Sequence, residues 1–327
     1  MSASRFDKSR WTFPLLALAL LAIEPDAACA APAPEQIRIP GEKVFPESIT
    51  SAADGRIIIG SIAHREILAA KPGDSTARPW IGADAETSIG VYGVFADAKS
   101  NTLWVCFSSI PGSRWGFQAA SVLKAFDLAT GGLKGRYVLP GRGAFCNDIA
   151  VGADGAAYVS DTNNMQIDRL ARGAAALEVW AGNGAFGPKG GILDGISVLG
   201  QRVIVNTLQT GKIFAIPIGS GGKAGVIAQV KLNRPIADPD GMRAFGEDSV
   251  LLVESGGAGR LSKLVIHGDA GEVTTLKEGY PQGPVSVTVV GTTAYVLEGQ
   301  LSELFGPATS RHPPLPFHAT AVEVGSP

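Results

Sequence analysis

Cysteine and histidine are scarce in this chain, and their scarcity argues against several kinds of active site. The 327 residues include three cysteines and four histidines, and no two histidines have the H-E-x-x-H spacing of a zinc hydrolase. A zinc site built from Cys and His is therefore not expected. The sequence also lacks a G-x-S-x-G motif, so it gives no support for a serine nucleophile on a sharp strand-to-helix turn.

Net charge is also nearly absent, which argues against a polyanionic partner. The chain has 28 Lys and Arg against 30 Asp and Glu, a net charge of −2 at pH 7. Proteins that bind nucleic acid or anionic membranes normally carry a clear excess of positive charge. We therefore expect neither partner. Beyond the N-terminus, no apolar run reaches the roughly 20 residues that a membrane-spanning helix needs.

The first 30 residues have the pattern of a secretory signal peptide. A basic start is followed by a short apolar run, Trp11–Ile23, and then by small residues that permit cleavage after Ala30. A lipoprotein with an acylated Cys29 is an alternative, although Asp26 stands where such signals usually carry an aliphatic residue. We expect a periplasmic or secreted protein in which residues 31–327 form one domain.

Two cysteines remain beyond this segment, Cys106 and Cys146. Exported proteins often carry disulfides. A chain of this length does not need one for stability, however. The sequence leaves open whether the two residues form a disulfide or are two small buried side chains.

Glycine and proline are abundant, and they separate the parts of a repeated unit. The chain has 42 Gly and 21 Pro, which predicts many short elements joined by turns. An apolar strand, a turn and a second strand rich in Val, Ile, Leu or Tyr recur at intervals of 46 to 54 residues. The residues that open the six first strands are Glu47, Gly93, Asn147, Asp194, Asp240 and Ser286.

This period predicts an all-β fold, a six-bladed β-propeller of four-stranded antiparallel blades. Third and fourth strands follow the hairpins, for example QIDRLA and LEVWAG after the third hairpin. The last repeat lacks a fourth strand, and the extended segment QIRIP at residues 36–40 can supply it. We therefore expect an N-terminal strand to close the ring by pairing the two ends of the chain, which removes exposed sheet edges.

The polar residues that open the first strands predict a metal site. First strands line the channel of a propeller, so their opening residues converge although they are far apart in sequence. Three carboxylates and an amide would then meet, and carboxylates packed without a cation repel one another. Ca²⁺ is the expected ion because it accepts about six to eight oxygen ligands, with Zn²⁺ or Mn²⁺ as alternatives. Taken singly, each of these residues is also a common turn former.

Four short stretches carry a resemblance to a known family. They are PES at 46–48, CND at 146–148, LDG at 193–195 and PDGM at 239–242. With them, the chain resembles the gluconolactonase, regucalcin (senescence marker protein) and luciferin-regenerating-enzyme family, six-bladed propellers with one divalent metal in the channel. The resemblance implies that Glu47, Asp194 and Asp240 hold the metal and that Asp240 doubles as general base. It also implies that Asn147 lies in the same shell or contacts the substrate.

Two departures from the family pattern bear on the substrate. Lactonases of the family commonly have Asn-Gly where this chain has Asp194-Gly195, and the added charge should tighten metal binding and weaken the ion as a Lewis acid. Those with sugar substrates place Arg two residues before the Asn, where this chain has Phe145. An apolar wall at this place favours a less polar substrate than gluconolactone. Trp115, in the insertion at 111–118, is a further candidate for substrate contact as part of a lid.

Together these features predict a metal-dependent hydrolase of a lactone or ester whose partner is a small molecule and whose oligomeric state is open. One alternative is a non-catalytic ligand-binding propeller with a structural metal. Another is the related strictosidine-synthase-like activity, which needs a glutamate base deep in the channel. Glu254 and Glu298, which end second strands, are weak candidates for that base.

Overall fold

The structure is a computed structural model, and it describes residues 34–82, 89–109, 120–182, 184–188, 191–307 and 314–327, together with 1, 309 and 312. The chain divides into two compact units, Met1–Ala31 and Pro32–Pro327, and all described strands belong to the second. The predicted signal peptide and its cleavage site lie outside the described residues, as does Trp115. Within the described ranges, no helix has the length and apolar character needed to cross a membrane.

In the described part of the chain, 25 strands, numbered β1 to β25 in chain order, form the six blades of a β-propeller, as predicted. Blade 1 consists of β2 (Pro46–Ser51), β3 (Ile57–Ser61), β4 (Ile67–Ala70) and β5 (Arg78–Ile81). Blade 2 consists of β6 (Ile89–Asp97), β7 (Thr102–Ser109), β8 (Val122–Asp127) and β9 (Leu133–Val138). Blade 3 consists of β10 (Cys146–Val151), β11 (Ala157–Asp161), β12 (Gln166–Leu170) and β13 (Glu178–Ala181).

The remaining blades follow the same antiparallel order. Blade 4 consists of β14 (Leu193–Leu199), β15 (Arg202–Thr207), β16 (Lys212–Pro217) and β17 (Ala228–Gln229). Blade 5 consists of β19 (Pro239–Ala244), β20 (Ser249–Glu254), β21 (Arg260–His267) and β22 (Ala270–Glu278), with the short β18 (Lys231–Leu232) parallel to β22 at the edge. Blade 6 consists of β23 (Pro284–Val290), β24 (Thr293–Glu298), β25 (Phe317–Glu323) and β1 (Gln36–Ile39). One short α-helix, α1 (Leu301–Phe305), and two 3₁₀ turns (Leu208–Thr210 and Ser220–Gly222) complete the described elements.

The apolar core lies between neighbouring blades. One cluster joins Ile58 of blade 1 to Val94 and Val105 of blade 2, and all three side chains are fully buried. Burial of each such side chain contributes roughly 1.5–3 kcal/mol. The inner strands are buried along most of their length, whereas the outer strand β9 is largely exposed. The inner strands are therefore held on both sides, and this gives the channel a rigid lining.

The N-terminal strand closes the ring, which confirms the prediction for residues 36–40. β1 pairs antiparallel with β25, from Gln36 opposite Thr320 to Ile39 opposite Phe317. Ile39 is buried, and the Phe317 ring packs edge-to-face on Phe45 with centroids 5.5 Å apart. The first and the last of the described strands thus belong to one blade.

A β-bulge near the start of each inner strand controls which side chain enters the channel. In blade 1, Pro46 pairs with Ser61 and Ser48 pairs with Gly60, so Glu47 is the extra residue. The other five inner strands shift register at the same place. Such bulges re-aim side chains and often lie beside functional sites. The residues that directly follow the last pair before the shift in each blade are Glu47, Tyr92, Asn147, Asp194, Asp240 and Val285.

This register corrects two members of the predicted ring. Gly93 and Ser286 lie one residue beyond the equivalent positions, which Tyr92 and Val285 occupy. A Cβ atom on Gly93 would collide with the carbonyl oxygen of Asn147, so this position needs glycine for the close approach of β6 to β10. An alignment on second strands could not locate the extra residue, because a bulge leaves the apolar pattern of the strand almost unchanged.

Candidate functional site

Three buried carboxylates from three blades meet in the channel. Glu47, Asp194 and Asp240 each present an oxygen within 4.8 Å of the others, and each residue is at most 8% exposed. They come from blades 1, 4 and 5, so only the closed ring brings them together. Each follows the first pair of its inner strand, where the bulge directs it. The structure therefore collects the three acidic residues that the sequence motifs single out.

The electrostatics of this cluster favour a bound cation. Burial, followed by repulsion from neighbouring carboxylates, raises the pKa of Glu47 and of Asp240 well above the ordinary values. The same causes raise the pKa of Asp194 to about 7, although a hydrogen bond from Asn147 opposes the rise. By themselves, then, the carboxylates resist ionisation. A divalent cation would remove this resistance and stabilise the ionised cluster.

Asn147 contributes a free amide oxygen. Its Nδ2 donates to Thr162 Oγ1 at 3.0 Å, and the Thr162 hydroxyl donates in turn to the Leu193 carbonyl at 2.7 Å. Because the hydroxyl proton is used on Leu193, Thr162 must accept from Asn147, and this fixes the orientation of the amide. Asn147 Oδ1 is left buried without a hydrogen-bond partner. Because Asn147 also lines the cavity above the carboxylates, this oxygen is available to a ligand there.

The donor set fits a hard divalent ion. Ca²⁺ takes oxygen ligands at about 2.3–2.6 Å, and the three carboxylate oxygens all lie within 4.8 Å of one another, which is no more than about twice one such distance. One ion could therefore touch all three carboxylates. Glu47, Asp194, Asp240 and the free oxygen of Asn147 supply anionic and neutral oxygens, which Ca²⁺ prefers to nitrogen or sulfur.

A second buried charge cluster crosses the channel and involves Asp148. Arg243 Nη1 lies 2.9 Å from Asp148 Oδ2, and Arg243 Nη2 donates to Ser48 Oγ at 3.2 Å and to the Val94 carbonyl at 3.1 Å. The Ile196 amide donates to the same Asp148 carboxylate at 3.3 Å. Asp148 is thus a structural partner between blades. Arg243 was missed, although a charged residue on an inner strand, directly after PDGM, was a signal for it.

A cavity of about 1110 Å³ opens above the carboxylates. Phe145 and Tyr92 form part of its wall and pack edge-to-face with centroids 4.7 Å apart. Phe145 therefore lies at the site, where the sequence placed an apolar wall. Leu301 and Phe305 of α1, together with Leu315, line the outer part of the cavity. This helix was not predicted, because five residues are too few for a clear apolar period.

The two alternative glutamate bases are engaged elsewhere. Glu254 is fully buried and accepts from both terminal nitrogens of Arg234, at 2.6 and 3.1 Å. Burial alone would raise the pKa of Glu254, but these and other hydrogen bonds bring it below the ordinary value. Glu298 accepts from the Gln282 amide at 2.9 Å and lies 3.2 Å from His318 Nε2. Among the described residues that line the cavity, neither glutamate is found.

A disulfide joins the strands beside two of the bulges. Cys106 of β7 and Cys146 of β10 are bonded, with Cα atoms 5.1 Å apart. This resolves the choice that the sequence left open. Cys146 directly precedes Asn147, and Cys106 lies opposite the Tyr92 bulge, so the bond links blades 2 and 3 at the cavity wall.

Comparison with known proteins places the chain among solved propeller structures. No protein-family model matches the chain, and no curated protein sequence matches it. A calcium-binding protein, regucalcin, from Agrobacterium tumefaciens is 15% identical with a TM-score of 0.59, over 91% of this chain and 96% of that one. A gluconolactonase from Xanthomonas campestris is 17% identical with a TM-score of 0.58, over 85% and 97%. The PQQ-bound aldose sugar dehydrogenase from Streptomyces coelicolor is 15% identical with a TM-score of 0.58, over 90% and 99%.

These identities are low, and the same architecture carries different chemistries in the three proteins. The sequence motifs had already indicated regucalcin and the gluconolactonases, and both are among the structural neighbours. The chain therefore shares the six-bladed propeller fold of the regucalcin and gluconolactonase structures.

Proposed function

We propose that this protein is a metal-dependent hydrolase of a lactone or ester. The observation that carries the proposal is the cluster of three buried carboxylates beside the unpartnered Asn147 Oδ1, at the floor of a large cavity. Glu47, Asn147, Asp194 and Asp240 would hold the ion, with Ca²⁺ the expected metal and Zn²⁺ or Mn²⁺ as alternatives. The gluconolactonase and the calcium-binding regucalcin among the structural neighbours support this choice.

The metal would supply a Lewis acid that polarises the substrate carbonyl. Asp240 is the proposed general base. Its Oδ1 accepts from the Gly241 amide at 2.9 Å, which fixes the carboxylate and leaves the second oxygen to take a proton from water. Burial raises the pKa of Asp240 in the metal-free cluster, and a bound cation would lower it again and make the carboxylate a weak base. Activated esters and strained lactones are therefore the substrates that we expect.

Hydrolysis adds one water across the acyl–oxygen bond. The water oxygen bonds to the carbonyl carbon while Asp240 takes its proton, the acyl–oxygen bond breaks, and the leaving oxygen is protonated. The products are a carboxylic acid and an alcohol, joined in one molecule when the substrate is a lactone. Phe145 and Tyr92 keep bulk water away from one side of this reaction.

The test is a panel of lactones and aryl esters assayed with Ca²⁺, Zn²⁺, Mn²⁺ or a chelator. We expect metal-dependent turnover that falls by about 10²–10⁴-fold in Asp240→Asn, which loses the base. Asp168→Asn is the matched control, because Asp168 is a fully buried carboxyl that does not line the cavity. Metal-dependent stability without any turnover would refute the hydrolase and support the non-catalytic binding propeller instead.

Export is part of the same proposal. The Cys106–Cys146 disulfide supports a periplasmic or secreted location, because structural disulfides persist in oxidising compartments. N-terminal sequencing of the protein purified from its host should begin at Ala31. A chain that keeps its first 30 residues would refute processing at this site.

A further inference from the structure

We infer that the substrate is an uncharged lactone or ester with an apolar alkyl or aryl group that runs from the carboxylate cluster to the mouth of the cavity beside α1. The inference rests on the proposed function, and it specifies which members of the substrate class the cavity accepts. Three properties of the wall carry it: its charge, the engagement of its polar side chains, and its exposed apolar rim.

The charge of the wall excludes anionic substrates. Among the described residues that line the cavity, none is Lys or Arg, whereas Glu47, Asp194, Asp240 and Glu303 are acidic. The three carboxylates at the floor carry a charge of −3 when ionised, so one divalent ion leaves a net charge of −1. A carboxylate or phosphate on the substrate would therefore meet net negative charge, and His312, a histidine of the described lining, already lies 3.6 Å from Glu303. The acid formed by hydrolysis meets the same repulsion, which favours its release.

Several polar side chains of the wall are already engaged within the protein. Asn163 Nδ2 donates to the Gly143 carbonyl at 2.9 Å, and Ser255 Oγ donates to the Asp238 carbonyl at 2.9 Å. Thr162 is used by Asn147 and Leu193, as described for the site. A polyhydroxylated sugar lactone needs many hydrogen-bonding partners, and these three side chains are not free to serve it. Besides Asn147 Oδ1, two polar atoms of the described lining, Tyr280 Oη and Gln282 Oε1, are without a partner, and they can serve the ring of a small lactone but not a full set of hydroxyl groups. An apolar substrate makes no such demand.

The mouth of the cavity is apolar and held in place. Phe305 and Leu315 are 39% and 57% exposed, so large apolar side chains face solvent at the rim. Gln300 fixes this rim: its Nε2 donates to the Leu315 carbonyl at 2.9 Å, and its Oε1 accepts from the Leu315 amide at 2.7 Å. A preformed apolar rim binds an apolar group without an ordering cost. At the inner end, the Phe145 amide donates to Asp161 Oδ1 at 2.9 Å, which fixes that wall as well.

The decisive experiment compares lactones that share one ring and differ in one substituent. The series has alkyl chains of increasing length, a carboxylate-capped analogue of the longest chain, and gluconolactone. We expect kcat/KM to rise about 3–4-fold per methylene until the cavity is filled. We expect the carboxylate-capped analogue to be at least tenfold worse than its uncharged parent. Equal rates across the chain series, or gluconolactone as the best substrate, would overturn the inference while leaving the hydrolase standing.

Two variants test the wall directly. Phe145→Arg should shift the ratio of kcat/KM for gluconolactone over the longest alkyl lactone upward by at least tenfold. Phe305→Asp should lower the ratio of kcat/KM for the longest over the shortest alkyl lactone by at least tenfold. Leu133→Asp is the matched control, because Leu133 is an exposed apolar residue on the outer strand β9, and it should change neither ratio. Unchanged ratios in both cavity variants would refute the proposed wall.

A binding measurement separates the two levels of the proposal. Lactams with the same alkyl chains resist hydrolysis, and calorimetry with chelator-treated protein measures their affinity without any turnover. We expect affinity to rise with chain length and to fall in Phe305→Asp. Chain-dependent binding of lactams, together with no turnover of any lactone, would refute the hydrolase but support the apolar cavity. Affinity that does not depend on chain length would refute the cavity assignment.

Discussion

Asp194→Asn should stabilise the metal-free protein and weaken its response to metal. Burial raises the pKa of Asp194 to about 7, whereas an unfolded aspartate titrates near 3.9. Because the folded pKa is raised, the stability that this carboxyl contributes is fully present below about pH 4 and is lost as the pH rises through 7. A difference of about three between the folded and unfolded pKa values corresponds to at most about 4 kcal/mol by pH 8. Asparagine does not titrate, so the variant avoids this loss.

The assay is urea unfolding at pH 4, 6 and 8 in chelator, followed by circular dichroism. The variant should match the wild type at pH 4 and exceed its free energy of unfolding increasingly towards pH 8. Ca²⁺ at about 100 times its Kd should add about 2.7 kcal/mol to the wild type. It should add less to Asp194→Asn, which has lost a ligand charge. A variant no more stable than the wild type in chelator at pH 8 would refute the electrostatic reasoning.

Asp148→Asn is the matched control, and it should act with the opposite sign. Asp148 is as deeply buried as Asp194, but its carboxylate pairs with Arg243 at 2.9 Å. Loss of its charge leaves the buried guanidinium without that partner, which should lower the free energy of unfolding by about 3 kcal/mol. Two identical substitutions on neighbouring inner strands would then differ in sign because only one carboxylate has a cation. A stabilised Asp148→Asn variant would contradict this account.

Three further predictions follow from the described contacts. Replacing both Cys106 and Cys146 by Ala should lower the free energy of unfolding by about 4 kcal/mol, because the bond closes a loop of 40 residues; reductant should lower the Tm of the wild type and not that of the double variant. Burial raises the pKa of Asp168 to about 8, so Asp168→Asn should gain stability over the wild type as the pH rises from 4 to 8, and a pH-independent difference in urea unfolding would contradict it. Gly195→Ala should lower the free energy of unfolding by about 3 kcal/mol and reduce the Ca²⁺-induced rise in Tm, because its Cβ would collide with a backbone carbonyl on the next inner strand. Gly82→Ala is the control, because Gly82 has open space around it, and this variant should melt like the wild type.

The blade architecture could be predicted from sequence because each blade is a local unit. Turns and apolar strands recur within about 46 residues, and the spare strand at residues 36–40 accounted for the incomplete last repeat. Glu47, Asp194 and Asp240 were predictable for the same reason, since equivalent positions of a repeat must converge around a ring. The disulfide could not be predicted in this way, because the repeat does not determine whether the side chains of two cysteines 40 residues apart face each other.

The rest of the site depends on register and on contacts across the channel. The predicted ring contained Gly93 and Ser286, each one residue beyond the correct positions of Tyr92 and Val285. A bulge adds a residue without changing the apolar pattern, so the sequence does not reveal this shift. Arg243 contacts Asp148, which is 95 residues away along the chain, and Ser48, which is 195 residues away. No local sequence pattern encodes contacts over such separations. Long-range polar contacts of this kind follow from the closed ring and not from any single blade.

The shared last blade also dictates the order in which the molecule can be completed. A chain made from its N-terminus presents Ile37 and Ile39 well before their partners, which lie in β25, the last of the described strands. Five blades can form on the growing chain while the sixth waits, with β1 unpaired and the ring open. The closed channel, and with it the full ring that holds Glu47 beside the later carboxylates, is therefore completed only after β25 has been made.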